Sequence, residues 1–177
     1  RPSPNPTFHV KLSAEVGNTP ITLQSPVEIK TRHPQFGQVR YPLEVVPELS
    51  VRFSADAAVI TEGTQEYRLP VVVKSSRAGL QGQVRLELPD GWSTTQPAQD
   101  IIFAREGEER TVEFVLRPPN NASASPHLIR AVATSAGKEY REGFEAVTAR
   151  DLKRMNLYHD AIHQVSMVDV TVAGDPQ

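Results

Sequence analysis

Apolar residues recur at every second position along much of this chain, and that period predicts strands wherever it holds. It begins between Thr7 and Leu12, where Phe8, Val10 and Leu12 alternate with polar neighbours, the pattern of a half-buried strand. It returns from Thr19 to Thr31 through Ile21, Leu23, Val27 and Ile29, with Pro26 as a break or bulge. A turn follows at His33-Pro34-Gln35-Phe36-Gly37. From Gln38 to Ser54 one long extended stretch carries Val39, Tyr41, Leu43, Val45, Leu49, Val51 and Phe53, interrupted by Pro42 and Pro47.

Beyond Pro47 the pattern is more regular. Strands are predicted at 49–53, 67–74, 83–88, 100–103, 110–116, 127–134 and 139–147. Between them lie Glu62-Gly63, Ala78-Gly79, Pro89-Asp90-Gly91, Glu106-Gly107, Pro118-Pro119-Asn120-Asn121 and Ala136-Gly137, all turn chemistry. Seven short alternating strands with regular punctuation predict an all-β, Ig-like antiparallel β-sandwich over residues 47–149. Residues 1–46 hold too few strands for a sandwich of their own. They read as a strand-rich N-terminal segment, or as part of a β-domain that begins upstream. Residues 150–177 read as a C-terminal extension or linker.

The stretch from Thr148 to Met167 reads two ways. Asp151 could cap a helix that carries Leu152, Met155, Tyr158, Ile162 and Val165 on one side and Lys153-Arg154 on the other. Against this, the run passes without a stop signal into Val168, Val170 and Val172, which alternate as a strand. The packed residues expected are Val51, Phe53, Val71, Val73, Leu86, Leu88, Trp92, Phe103, Val112, Phe114, Leu116, Ile129, Ala131 and Val132.

Composition narrows the function classes. Nineteen Lys and Arg against 21 Asp and Glu give a net charge of −2, which argues against a broad phosphate-binding surface and hence against nucleic acid as partner. Cysteine is absent, excluding disulfides, Cys-ligated zinc and a thiol nucleophile. Fifteen prolines disfavour a largely helical fold. Apolar runs are only a few residues long, too short for a transmembrane helix. The chain opens on Arg1, without a signal-peptide pattern, and is expected to be a piece of something longer.

Candidate chemistry is sparse. Of His9, His33, His127, His159 and His163, the last two are four apart, and on a helix they would share a face as zinc ligands do. The blander reading makes them solvated or interface histidines. His33-Pro34 is followed by Gln35-Phe36, which supply no carboxylates. No nucleophile elbow and no phosphate-cradling glycine loop occur. Glu106, Glu108 and Glu109 fit a solvated hairpin turn, and Asn121-Ala122-Ser123 matches a glycosylation acceptor pattern. No catalytic, metal or cofactor residue is therefore assigned. Trp92 could stack on a sugar ring or fold back to plug the core. Tyr67 and Tyr140 join it as possible carbohydrate contacts, with Tyr41 and Tyr158 as further exposed-aromatic candidates.

The run from Val84 to Thr134 (VRLELPDGW, then AREGEERTVEFVLRPP, then HLIRAVAT) resembles the NEW-type Ig-like domain associated with alpha-galactosidases. Two positions depart from that pattern: Arg105-Glu106 stand where a proline is commoner, and no glycine opens the strand at His127. Residues 26–53 and 165–176 are similar to the region that follows the catalytic domain in long bacterial PIG-L/LmbE-type deacetylases. That resemblance implies a non-catalytic place in an exported carbohydrate-modifying enzyme, extracellular or periplasmic, with other domains of the same polypeptide as partners. The family's His-Pro-Asp-Asp-Glu motif is absent, so no catalytic residue carries over. A carbohydrate-binding module that takes polysaccharide is the alternative. The oligomeric state is left open.

Overall fold

In the computed structural model the first alternating segment becomes a ribbon. Residues 8–34, 37–43, 45–119, 125–147 and 155–169 are described. Their contacts divide the chain into two units, 1–46 with 145–158 and 47–144 with 159–177.

In the first unit β1 (His9–Val16) pairs antiparallel with β2 (Thr19–Pro26), and β3 (Glu28–His33) with β4 (Gly37–Pro42). Val27 is the shared rung: its N–H donates to Phe8 O at 2.9 Å and its carbonyl accepts from Leu43 N at 2.8 Å. Residues 19–33 thus act as one long strand, with β1 and β4 paired along successive parts of it. Leu12 stands opposite Leu23 and Ala14 opposite Ile21, so one face is apolar, while Lys11, Ser13 and Glu15 turn to the other. The half-burial expected for this segment does not occur. Every residue of β1 and β2 is exposed, because a two-stranded ribbon brings no second layer to cover either face. The single stretch expected from Gln38 to Ser54 is two strands, β4 and then β5 (Leu49–Phe53), with 43–48 between them.

The second unit is an Ig-like β-sandwich. Its remaining strands are β6 (Ala57–Thr61), β7 (Tyr67–Ser75), β8 (Leu80–Glu87), β9 (Ser93–Thr94), β10 (Ala98–Phe103), β11 (Glu109–Arg117), β12 (His127–Ser135), β13 (Lys138–Tyr140) and β16 (Ile162–Val168). β14 (Glu142–Val147) and β15 (Met155–Asp160) form a two-stranded sheet of their own. One main sheet runs β10-β8-β12-β16-β6, with β13 added beside β12, and the other runs β5-β7-β11-β9. Pairing is antiparallel except between β16 and β6, which run parallel.

Alternation explains the core. Leu49, Val51 and Phe53 point inward from β5, Leu69, Val71 and Val73 from β7, and Ile129, Ala131 and Ala133 from β12. Phe103, Phe114 and Leu116 are fully buried among them, each contributing about 1.5–3 kcal/mol of transfer free energy. Leu86, Leu88 and Val112 are only partly buried at the margin of this core. Val132 is buried, but on the outer face of its sheet, since Ala131 and Ala133 on either side take the inward phase.

Two turns show why particular residues sit where they do. Gly91 has φ 79° between Pro89 and Trp92, whose N–H donates to Pro89 O at 3.2 Å, a left-handed backbone that glycine adopts without strain. Ala136 and Gly137 link β12 to β13 with φ of 48° and 77°, the two positive angles of a type I′ hairpin.

One open reading is settled and two expectations are corrected. The 148–167 stretch is not helical where it is described: 155–160 and 162–168 are strands, and β16 brings Val165 and Met167 into the interior. Asp151, Leu152, Lys153-Arg154 and the Asn121 acceptor pattern lie outside the described residues. A segment read as an extension therefore supplies a strand between β12 and β6. Finally, Glu106 to Glu109 do not close a hairpin, because β10 and β11 belong to different sheets. The Glu108 carboxylate accepts from Ala104 N at 2.8 Å and Arg105 N at 3.1 Å. Those backbone bonds hold it below the usual carboxylate range.

Candidate functional site

The histidines do not converge. On strands, His159 and His163 cannot share a helix face; His159 is exposed on β15, while His163 is 1% exposed on β16. His163 is thus neither solvated nor at an interface. Its Nδ1 lies 2.7 Å from Ala55 O, an acceptor only, so Nδ1 carries the proton. Nε2, 2.7 Å from Tyr67 Oη, then accepts from the tyrosine hydroxyl. The imidazole stacks on Tyr67 at 5.9 Å and tilts against Phe53 at 5.4 Å. Burial pushes the Tyr67 phenol up, favouring its neutral, donating form. Both ring nitrogens are occupied and the ring is sealed, so the pair braces β7, β16 and the chain before β6 and leaves no room for a substrate.

A signal for this brace was present. Ala161, His163, Val165 and Met167 occupy alternate positions and all four are buried, so His163 lies on the core phase of a strand. The helical reading concealed that phase.

Three of the five aromatics considered for sugar, Trp92, Tyr67 and Tyr140, are packed in or against the interior. Trp92 is 7% exposed within the core and tilts on His127 at 5.6 Å; its Nε1 is buried without a hydrogen-bond partner. Tyr67 packs on the core and bonds His163. Tyr140 also packs there and donates to Glu48 Oε2 at 3.2 Å, while Glu48 Oε1 meets Arg77 at 3.2 Å. Burial, and then the Glu48 hydrogen bond, raise the Tyr140 phenol.

Among the described residues, the densest charge cluster lies on the outer face of the larger sheet. Arg85 reaches Glu87 at 3.2 Å and Glu139 at 2.9 Å; Arg141 reaches the same two carboxylates at 2.8 and 2.9 Å. Each arginine bridges both acids, which closes a four-membered ring from β8 across β12 to β13. Val132, the register partner of Arg85, lies on this face between the two ends of the ring. Hydrogen bonding to Arg141 lowers the Glu87 carboxyl, and hydrogen bonding to Arg85 lowers that of Glu139. The arginines are raised in return, Arg85 chiefly by Glu139 and Arg141 chiefly by Glu87. Charges this evenly matched neutralise one another and leave no base poised for proton transfer. The Arg-x-Glu and Glu-x-Arg spacings place each pair on one strand face, but the sequence did not show that the two strands flank β12.

A depression of about 290 Å³ lies beside the ring, lined by Pro47, Leu49, Glu139, Tyr140, Arg141 and Glu142. That is at the lower limit for a small-molecule pocket. Among the described residues, no three of His, Cys, Asp and Glu gather into a group that could hold a metal ion.

No curated protein matches the chain in sequence. Similar solved structures include the periplasmic chaperone SfaE (9% identity, 71% of this chain, 60% of that one, TM-score 0.40). Another is the apo-form Calx CBD1 domain (11%, 71% and 100%, 0.39). A third is the ASH / PapD-like domain 7 of human CEP192 (7%, 79% and 99%, 0.41). This chain spans about 60% of the length of the chaperone it matches. Residues 60–135, from the end of β6 to the end of β12, match the family model described as the NPCBM-associated, NEW3 domain of alpha-galactosidase.

Proposed function

We propose that this chain is a non-catalytic accessory module of a larger carbohydrate-modifying hydrolase, serving to space or orient neighbouring domains. The match of residues 60–135 to a domain that accompanies alpha-galactosidase carries the reading. The side-chain chemistry supports it: the buried histidine is bonded at both nitrogens, and the clustered acids are matched by arginines. Function on a sandwich resides in sites on its faces and loops, and these faces are laced with ion pairs. Within this reading the parent enzyme is an exported PIG-L-type deacetylase, placed outside the cytoplasm. Its partners are the other domains of the polypeptide.

The test is turnover by the purified 177-residue chain. Neither an α-galactoside nor an N-acetylsugar should be cleaved above the buffer rate, and cleavage abolished by substitution within the chain would refute the proposal. Retention on insoluble polysaccharide, competed away by soluble oligosaccharide of the same linkage, would favour the carbohydrate-binding alternative instead.

A further inference from the structure

The β1–β2 ribbon shows one uncovered apolar face. Val10, Leu12, Val16 and Leu23 each leave between 58% and 64% of their surface open, and Ile21 and Ile29 leave 40% and 50%. The register places them together: Leu12 faces Leu23, and Ile29 faces Tyr41 further along the same strand. Charge is confined to the opposite face, where Lys11, Glu15, Glu28, Lys30, Arg32 and Arg40 lie, with Arg40 reaching Glu28 at 3.8 Å. Such an alternation is that of a sheet half-buried in a two-layer structure. A lone ribbon in water is marginal, and an apolar patch of this extent marks an interaction surface.

We propose that this face is a self-association surface, on which the ribbon of a second copy stacks to form a two-layer β-sandwich about 10 Å thick. Area supports a second copy as the occupant. Fifteen residues from 19 to 33, at about 3.4 Å each and about 10 Å of ribbon width, give about 500 Å² per copy. Two copies bury about 1,000 Å², the lower bound for a specific interface. Charge supports it too: face-to-face stacking turns the charged sides outward, so no like charges meet. The contact is isologous, as a two-fold dimer requires. The surface is independent of the accessory-module reading: a monomeric chain would refute the dimer and leave that reading standing.

Sedimentation equilibrium of the 177-residue chain between about 1 and 500 μM provides the test, a range that covers the weak association expected of an interface near the lower size bound. The wild type should shift from monomer to dimer across that range. Leu12→Glu and Leu23→Glu should each weaken association at least tenfold. Thr22→Glu, on the charged face of the same strand, should leave it unchanged. A chain that stays monomeric to 500 μM overturns the proposal. So does a dimer that survives Leu12→Glu, or one lost equally with Thr22→Glu.

Discussion

Replacing His163 with phenylalanine keeps a ring of similar size but removes both of its hydrogen bonds. The brace is worth about 1–3 kcal/mol in this exchange, from two bonds at about 0.5–1.5 kcal/mol net each. The low end is favoured at the Ala55 carbonyl, whose residue is exposed and can be rehydrated, and the high end at the half-buried Tyr67 hydroxyl. His163→Ala adds the loss of a fully buried ring next to Phe53, bringing the cost to about 3–5 kcal/mol. Tyr67→Phe alone should cost about 1 kcal/mol. The double variant Tyr67→Phe/His163→Phe should cost less than the sum of its single changes, because the first substitution already breaks the shared bond. Urea unfolding at pH 7, read by tryptophan fluorescence and circular dichroism, gives all four values, and a coupling of about 1 kcal/mol is expected. Strict additivity, or a His163→Phe variant as stable as the wild type, would refute the account of an imidazole clamped between a hydroxyl and a carbonyl.

Other consequences can be measured on the same protein. Ala136 holds a left-handed φ of 48° that costs an L-residue about 1 kcal/mol, so Ala136→Asn should raise stability by about 0.5–1 kcal/mol in thermal melts, and a loss would refute the type I′ assignment. Because Glu87 and Glu139 are depressed in the folded state, their contribution is present above the unfolded carboxylate pKa of about 4.3 and lost as pH falls through the lower folded values. The melting advantage of the wild type over Glu87→Gln/Glu139→Gln should thus hold at pH 7 and shrink progressively as pH falls below about 4.3; an advantage unchanged at pH 3 would refute the ring. Trp92 is buried, so its emission should be blue-shifted and resist acrylamide, and red-shifted, readily quenched emission would show the indole in water.

Much of the fold was legible because the core strands carry clean alternation. Val84, Leu86 and Leu88 differ in phase from Arg85 and Glu87, and Phe114 and Leu116 from Glu113, whatever their partners. Three elements were not. β6 carries only Ala58, Ile60 and their neighbours on an edge, too short and mild a pattern to stand out. β16 was masked by a spacing that fits 3.6 as well as 2, and the tie is broken only by its pairing with β12 on one side and with β6, about a hundred positions earlier, on the other. Val132 could not be placed because it is buried on the outer face of its sheet, and a strand pattern records phase but not cover. The same limit applies to the site: the ring Arg85, Glu87, Glu139 and Arg141 depends on β8 and β13 flanking β12, which is topology.

The parallel pairing of β6 with β16 also bears on synthesis at the ribosome. Residues 57–61 emerge early, yet their neighbour in the sheet is made of residues 162–168. Until the latter leave the exit tunnel, β12 lacks one of its neighbouring strands and Tyr67 lacks its imidazole partner. A fragment trimmed to 60–135 would keep the family-matched stretch but lose β5, β13 and β16, and with them Leu49, Val51, Phe53 and Val165 from the interior. The cooperative unit in translation is therefore longer than residues 60–135, and nascent chains should stay protease-sensitive until near the C-terminal end of this segment.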